Sequence, residues 1–190
     1  MSNHYIQDQA FSGVDYTSSV FEPAEYENCR FINCNFTENN LSKITFIDCV
    51  FEGCNLSTAN ISGTSFQDIQ FINCKMLGLH FEDCNPFLLS MSFDHCILNL
   101  CSFYKLKLKE SRFNKCSLQE ADFTEADLSG AVFNESNFAG AKFDHTNLEK
   151  ADLRTAVQYS INPSINKIKK AKFSVDGIRG MLDQYDIVIE

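Results

Sequence analysis

Cysteine is the residue in this chain best equipped for chemistry. Cys29, Cys34, Cys49 and Cys54 form two C-x4-C pairs in CRFINCNFTENNLSKITFIDCVFEGCNL, and Phe31, Phe36 and Phe51 sit two places after three of them. The chain holds nine cysteines in all. Thiols at regular spacing can ligate zinc, join as disulfides, or fill a core as small hydrophobes. The four histidines, His4, His80, His95 and His145, are scattered, form no H-x-x-H pair and adjoin no motif for nucleophilic catalysis. No glycine-rich phosphate loop is present. Which role the thiols take depends on the elements that hold them.

Those elements are set by a repeat. Every fifth residue from Phe11 to Phe81 is large and apolar, among them Phe31, Phe51 and Phe71. The register slips by two residues and resumes from Phe93 to Leu153 without a failure, taking in Phe113 and Phe133. Sixteen of the eighteen phenylalanines fall on these positions. A period of five matches neither a helix face nor a flat strand. It matches a chain that turns a corner every five residues and stacks its coils. Two residues before each large position the chain usually carries a small one, mostly Cys, Ala, Ser or Thr, as the interior of a narrow tube requires.

The pattern is clearest as ADFTEADLSGAVFNESNFAGAKF, residues 121–143, and there it resembles the pentapeptide repeat proteins, whose consensus is A(D/N)LXX. The likeness runs over roughly residues 9–155. It implies an all-β solenoid, a right-handed quadrilateral β-helix with four pentapeptides per coil of twenty residues. Residues twenty apart then stack, which places Phe31, Phe51 and Phe71 in one column, Phe93, Phe113 and Phe133 in another, and Cys34, Cys54 and Cys74 in a third. At about 4.8 Å per coil, some seven coils make a rod of roughly 35 Å. C-x4-C puts neighbouring thiols on adjacent corners with no convergent ligand set. Parallel side chains and reduced surroundings disfavour disulfides. The expectation is cysteine as core filler, with no metal and no cofactor.

A formal charge of −9 argues against a generic nucleic-acid or anionic-membrane binder. The N-terminus lacks a signal-peptide layout, and the longest apolar runs, such as PFLLSM, are far below a membrane span. A cytoplasmic protein without enzymatic activity is expected. The order read from the sequence is an N-terminal segment at 1–8, a first β-helix segment at 9–83, a register break at 84–92, a second segment at 93–155, and a C-terminal cap and dimerisation module at 156–190.

Three irregularities stand out. Pro86, Phe87 and Leu88 lie in the slip CNPFLLSMSF and predict a bulge, small loop or kink, either tolerated or in contact with a partner. A locally basic band, YKLKLKESRFNK at 104–115, interrupts an otherwise acidic chain. The candidate acidic face is Glu120, Asp122, Glu125, Asp127, Asp144, Glu149 and Asp152. An acidic rod of duplex width can imitate the phosphate backbone of DNA; an acidic surface can equally serve solubility alone. The third irregularity is the tail. Phe173 looks like a detached final repeat, Ser174 can cap a short helix, and Ile178, Met181, Leu182 and Tyr185 offer it an apolar side. Ile187, Val188 and Ile189 then suggest a short strand. Such a cap covers the open end of the coil and can meet a second copy.

KKAKFS followed by a glycine-containing helix and a hydrophobic strand is similar to the C-terminal cap of the Qnr-type and mycobacterial quinolone-resistance members of that family. This similarity implies a tail-to-tail homodimer that occupies the DNA site of a type II topoisomerase, DNA gyrase or topoisomerase IV, and so modulates quinolone or toxin susceptibility. The other reading is a plain scaffold for an unrelated protein, with the basic band as its recognition face.

Overall fold

The computed structural model describes residues 4–185, 187 and 188. The chain winds as an all-parallel β-solenoid with four faces. On the first face β1 (Tyr5–Gln7), β3 (Glu25–Glu27), β5 (Thr45–Ile47) and β7 (Ser65–Gln67) stack in register. On the second lie β2 (Ala10–Ser12), β4 (Arg30–Ile32), β6 (Val50–Glu52), β8 (Ile69–Ile72), β9 (Met91–Asp94), β10 (Arg112–Asn114) and β11 (Val132–Asn134). Single bridges carry the second face on through Asp152 to Lys172 and make up the third and fourth faces, for example Asn35–Asn55–Lys75–Ile97 and His80–Ser102–Asp122–Lys142. Counting strands and bridges, the second face has nine levels, or eight steps of about 4.8 Å and a rod of roughly 38 Å.

The fivefold pattern sets the core. Phe31, Phe51, Phe71, Phe93, Phe113 and Phe133 are buried, as are Cys34, Cys54 and Cys74. Rings twenty residues apart lie face to face: Phe31 and Phe51 have centroids 4.7 Å apart, Phe103 and Phe123 4.9 Å. Rings on adjacent faces meet edge-on, as Phe46 and Phe51 do at 5.3 Å. Both geometries suit the ring quadrupole and add to the burial itself.

The two extra residues do not break the stack. β8 pairs with β9 at a spacing of twenty-two, Phe71 on Phe93. The surplus is looped out on the first face, where Asn85 N–H bonds to the Thr64 carbonyl and Ser90 N–H to that of Phe66. Phe87 and Leu88 at its tip are exposed.

Both ends differ from the sequence reading. The coil begins inside the supposed N-terminal segment, because Ile6 takes the inward position five before Phe11 and β1 pairs with β3. It also runs on beyond 155. Val157, Lys167 and Lys172 bridge to Asn137, Asn147 and Asp152, so Phe173 ends the stack rather than standing apart from it. Inside this last coil the polar Asn166 is satisfied: it accepts from Thr146 N–H at 2.7 Å and donates to the Phe143 carbonyl at 2.5 Å.

The cap is tighter than a helix. Ser174 Oγ accepts from Gly177 N–H at 2.9 Å, but the chain then forms two 3-10 segments, Gly177–Met181 and Asp183–Tyr185. They press onto Tyr159. A Cβ on Gly180 would collide with the Tyr159 carbonyl oxygen, and one on Gly177 with its hydroxyl. Both glycines are therefore needed for this close approach, and Ile161 N–H donates to the Gly180 carbonyl at 2.9 Å. Met181 and Leu182 are half-buried, while Ile178 and Tyr185 are exposed. Ile187 and Val188 are exposed and not in a strand, and Ile189 lies outside the described residues. Among the described residues no helix is long and apolar enough to cross a membrane.

Candidate interaction surface

All nine thiols are buried and unbridged, and no group of three or more His, Cys, Asp or Glu among the described residues is placed to hold a metal. The thiols nevertheless do more than fill space. Cys34 Sγ reaches the Phe11 carbonyl at 3.4 Å, Cys54 that of Phe31 at 3.2 Å, Cys74 that of Phe51 at 3.3 Å, and Cys96 that of Phe71 at 3.3 Å. Each is a weak hydrogen bond from one level to the carbonyl of the large residue below. Ser136 Oγ does the same for Phe113 at 3.1 Å and Thr64 Oγ1 for Leu41 at 2.7 Å. The sequence carries a signal for this: the small column mixes Ala with Cys, Ser and Thr, three small residues that bear a donor. Burial raises the Cys29, Cys34, Cys49, Cys84 and Cys101 thiols, those of Cys49 and Cys101 to about 12, so they stay protonated and unreactive.

Solvent meets the residue on either side of each large one and the corner after it. The corner residue has positive φ on nearly every level, for instance Asn33 at 52°, Asp48 at 52° and Glu120 at 56°. Polar side chains then stack twenty apart, as Asn60 Nδ2 donating to Asn40 Oδ1 at 3.2 Å or Asn147 Nδ2 to Asp127 Oδ1 at 3.0 Å.

The seven carboxylates read as one acidic face are spread around the tube. Asp122, Glu125 and Asp144 belong to the fourth face, Asp127 and Glu149 to the first, Asp152 to the second, and Glu120 to the corner after Leu118 on the third. A chain that turns every five residues cannot keep neighbours in sequence on one side. Several are also neutralised. Arg154 grips Asp152 with two bonds of 2.9 and 2.7 Å, and this with Lys172 holds its carboxyl below the usual range.

The basic band is partly neutralised too. Lys105 Nζ lies 3.5 Å from Glu125 and 4.7 Å from the Tyr104 ring centroid, and Lys109 Nζ lies 3.5 Å from Asp127. The band and the acidic residues one level above it therefore form cross-level pairs.

The fourth face carries the largest net charge of the four, six carboxylates against three lysines. Glu22, Glu82, Asp83, Asp122, Glu125 and Asp144 project there against Lys43, Lys105 and Lys142. The cap end carries exposed Val175, Ile178, Tyr185, Ile187 and Val188.

A family model described as a pentapeptide repeat region matches residues 24–87, and one described as pentapeptide repeats matches residues 116–154. No curated protein matches the chain. Among solved structures, full-length QnrB1, a plasmid-mediated fluoroquinolone resistance protein, aligns at 19% identity with a TM-score of 0.58, over 96% of this chain and 100% of its own. HetL, a pentapeptide repeat protein involved in heterocyst differentiation regulation from the cyanobacterium Nostoc sp. strain PCC 7120, aligns at 16% identity with a TM-score of 0.71, over 92% of this chain and 90% of its own. At these identities the likeness is one of fold.

Proposed function

The chain belongs to the pentapeptide repeat family, and from that premise we propose that it is a non-enzymatic, cytoplasmic binding rod whose fourth face docks onto a basic surface of another protein. The observation that supports this is the row of carboxylates on that face, with Asp122, Glu125 and Asp144 on adjoining levels. Lys43, Lys105 and Lys142 punctuate the row, which fits recognition of a particular protein surface better than uniform imitation of DNA.

A second reading keeps the acidic row as a DNA mimic for a type II topoisomerase such as DNA gyrase, modulating quinolone susceptibility. Its support is the same row together with the fold shared with QnrB1. The exposed apolar residues of the cap would then join two copies tail to tail, and neither reading calls for direct nucleic-acid binding.

One experiment separates the two. Purified protein is titrated into a gyrase supercoiling assay with and without a fluoroquinolone, beside an Asp122→Lys/Asp144→Lys variant. Inhibition or drug rescue at micromolar protein, lost in the variant, supports the topoisomerase reading. No effect on gyrase, with a partner captured by the wild type and lost by the variant, supports the scaffold. A captured partner that binds both proteins equally overturns the fourth-face assignment.

A further inference from the structure

The first face is divided by charge about its own midpoint. Its inward positions run Ile6, Tyr26, Phe46, Phe66, the loop at 85–90, Leu108, Leu128, Leu148 and Ile168, so the loop is the fifth of nine levels. Below it Asp8, Glu25, Glu27, Asp48 and Asp68 project outward, and no lysine or arginine shares that half of the face. None of the five makes an ion pair among the described residues; Glu27 accepts from the Tyr5 hydroxyl and Asp8 from Asn28 Nδ2 at 2.6 Å. Above the loop project Lys107, Lys109, Lys150, Lys167, Lys169 and Lys170. They outnumber the carboxylates there, Glu110, Asp127 and Glu149, two to one. The positive end is concentrated on the last two levels.

We propose that this face is the contact between two antiparallel copies of the chain. A two-fold axis through the loop lays level one of each copy on level nine of the other. Asp8 then meets Lys170, and Glu27 comes within reach of Lys150 of the second copy, which sits next to Glu149, while Glu25 faces Asn147. The same patch serves both copies, as a two-fold contact requires. At the axis the exposed tips Phe87 and Leu88 of the two loops meet and leave water together, which gives an otherwise polar contact an apolar centre. A parallel pairing would set acid on acid and lysine on lysine. The face is narrow, roughly 10 Å by 38 Å from the strand and stacking dimensions. At about 380 Å² per copy the contact is smaller than a stable specific interface, so it is a weak one that rests on charge and falls with salt.

This pairing is distinct from a tail-to-tail contact and depends on neither functional reading. Carbodiimide coupling, which joins a carboxylate to an amine with no spacer, tests it at tens of micromolar protein and low salt. Within one chain Glu25 and Lys169 are seven levels apart, roughly 34 Å, so a coupled pair between the first two levels and the last two must join two copies. Cross-linked peptides linking Asp8, Glu25 or Glu27 to Lys150, Lys169 or Lys170 are expected. Particle mass from light scattering should halve when Glu25→Lys/Glu27→Lys is introduced, and also on raising salt from 50 mM to 1 M. It should recover when that variant is mixed with a Lys150→Glu chain, which leaves the Asp8–Lys170 contact in place. A mass that ignores salt and both charge reversals but halves with Ile178→Asp places the contact at the cap and overturns the proposal. A monomer at every salt concentration also overturns it.

Discussion

The first face is built in two ways, one on each side of the loop. Below it the inward residues are Tyr26, Phe46 and Phe66, the segments are paired strands, and the next corner is made at Cys29 and Cys49. Above it the inward residues are Leu108, Leu128 and Leu148, the segments meet by single bridges, and the corner is made at Ser111, Ala131 and Ala151. In the upper half that corner closes on itself. Ala131 N–H donates to the Leu128 carbonyl at 3.0 Å and Ala151 N–H to that of Leu148 at 3.0 Å. In the lower half the carbonyls of Ile6 and Tyr26 accept instead from the thiols of Cys29 and Cys49 one level up, at 3.5 and 3.4 Å. The size of the inward residue does not choose between them, since Ile6 has the open corner and Phe103 and Phe138 on the other faces have the tight turn. Where the corner is open and flanked by paired strands, a sulfur from the next level serves the carbonyl that the turn does not serve. One repeat thus has two ways of satisfying the same buried acceptor.

The largest effect that tests this contrast comes from the core. Phe46 stacks on Tyr26 at 5.4 Å and on Phe66 at 5.7 Å, whereas Leu128 is buried without a ring stack. Phe46→Ala is expected to cost about 4 kcal/mol and Leu128→Ala about 3, because the first loses two ring contacts beyond its volume. Urea unfolding followed by circular dichroism reads both. Equal costs, or the reverse order, would mean that the aromatic lower half is no more tightly built than the leucine upper half.

A smaller effect addresses the corners directly. Cys116 Sγ reaches the Phe93 carbonyl at 3.6 Å, and one level up Ser136 Oγ performs the same task for Phe113 at 3.1 Å. Cys116→Ser should therefore be tolerated, while Cys116→Ala leaves an acceptor without its donor and should cost about 1 kcal/mol more. Identical unfolding midpoints for the two variants would reduce the cysteine column to plain filler.

The sequence carries the inward half of the molecule almost completely. The fivefold run of Phe, Leu and Tyr names residues such as Phe31, Phe93 and Phe133 that are buried, because burial depends on position within the pentapeptide and every pentapeptide repeats it. The outward half is harder to read. Glu120, Asp122, Glu125 and Asp127 look like one cluster along the chain but occupy three faces; sorting residues by their position within a twenty-residue coil separates them. The same sorting brings together Asp8, Asp48 and Asp68, far apart in sequence and aligned on one corner. The ends escape the pattern for another reason. β1 lies beyond the first small-then-large pair, and the final coil hides an inward Asn166, a polar residue where the pattern calls for a small apolar one. Neither departs from the stack physically; each replaces a side-chain signal with backbone pairing or an amide that bonds its neighbours.

The corners themselves supply the finest test, since both halves share them. In the column after the third face, position 78 is Gly at φ 64°, position 100 is Leu at 61°, position 120 is Glu at 56° and position 140 is Gly at 71°. A left-handed conformation costs an ordinary side chain about 1 kcal/mol and costs Asn less. Leu100 is exposed, so its side chain gains little burial in return, and its backbone N–H already bonds to the Gln119 carbonyl at 2.9 Å. Leu100→Asn should keep that bond, relieve the strain and stabilise the protein by about 0.5 kcal/mol, a rise in melting temperature of about 2 °C. A fall instead would show that the Leu100 side chain packs on the tube from outside, and that the corner is held by contact as well as by backbone preference.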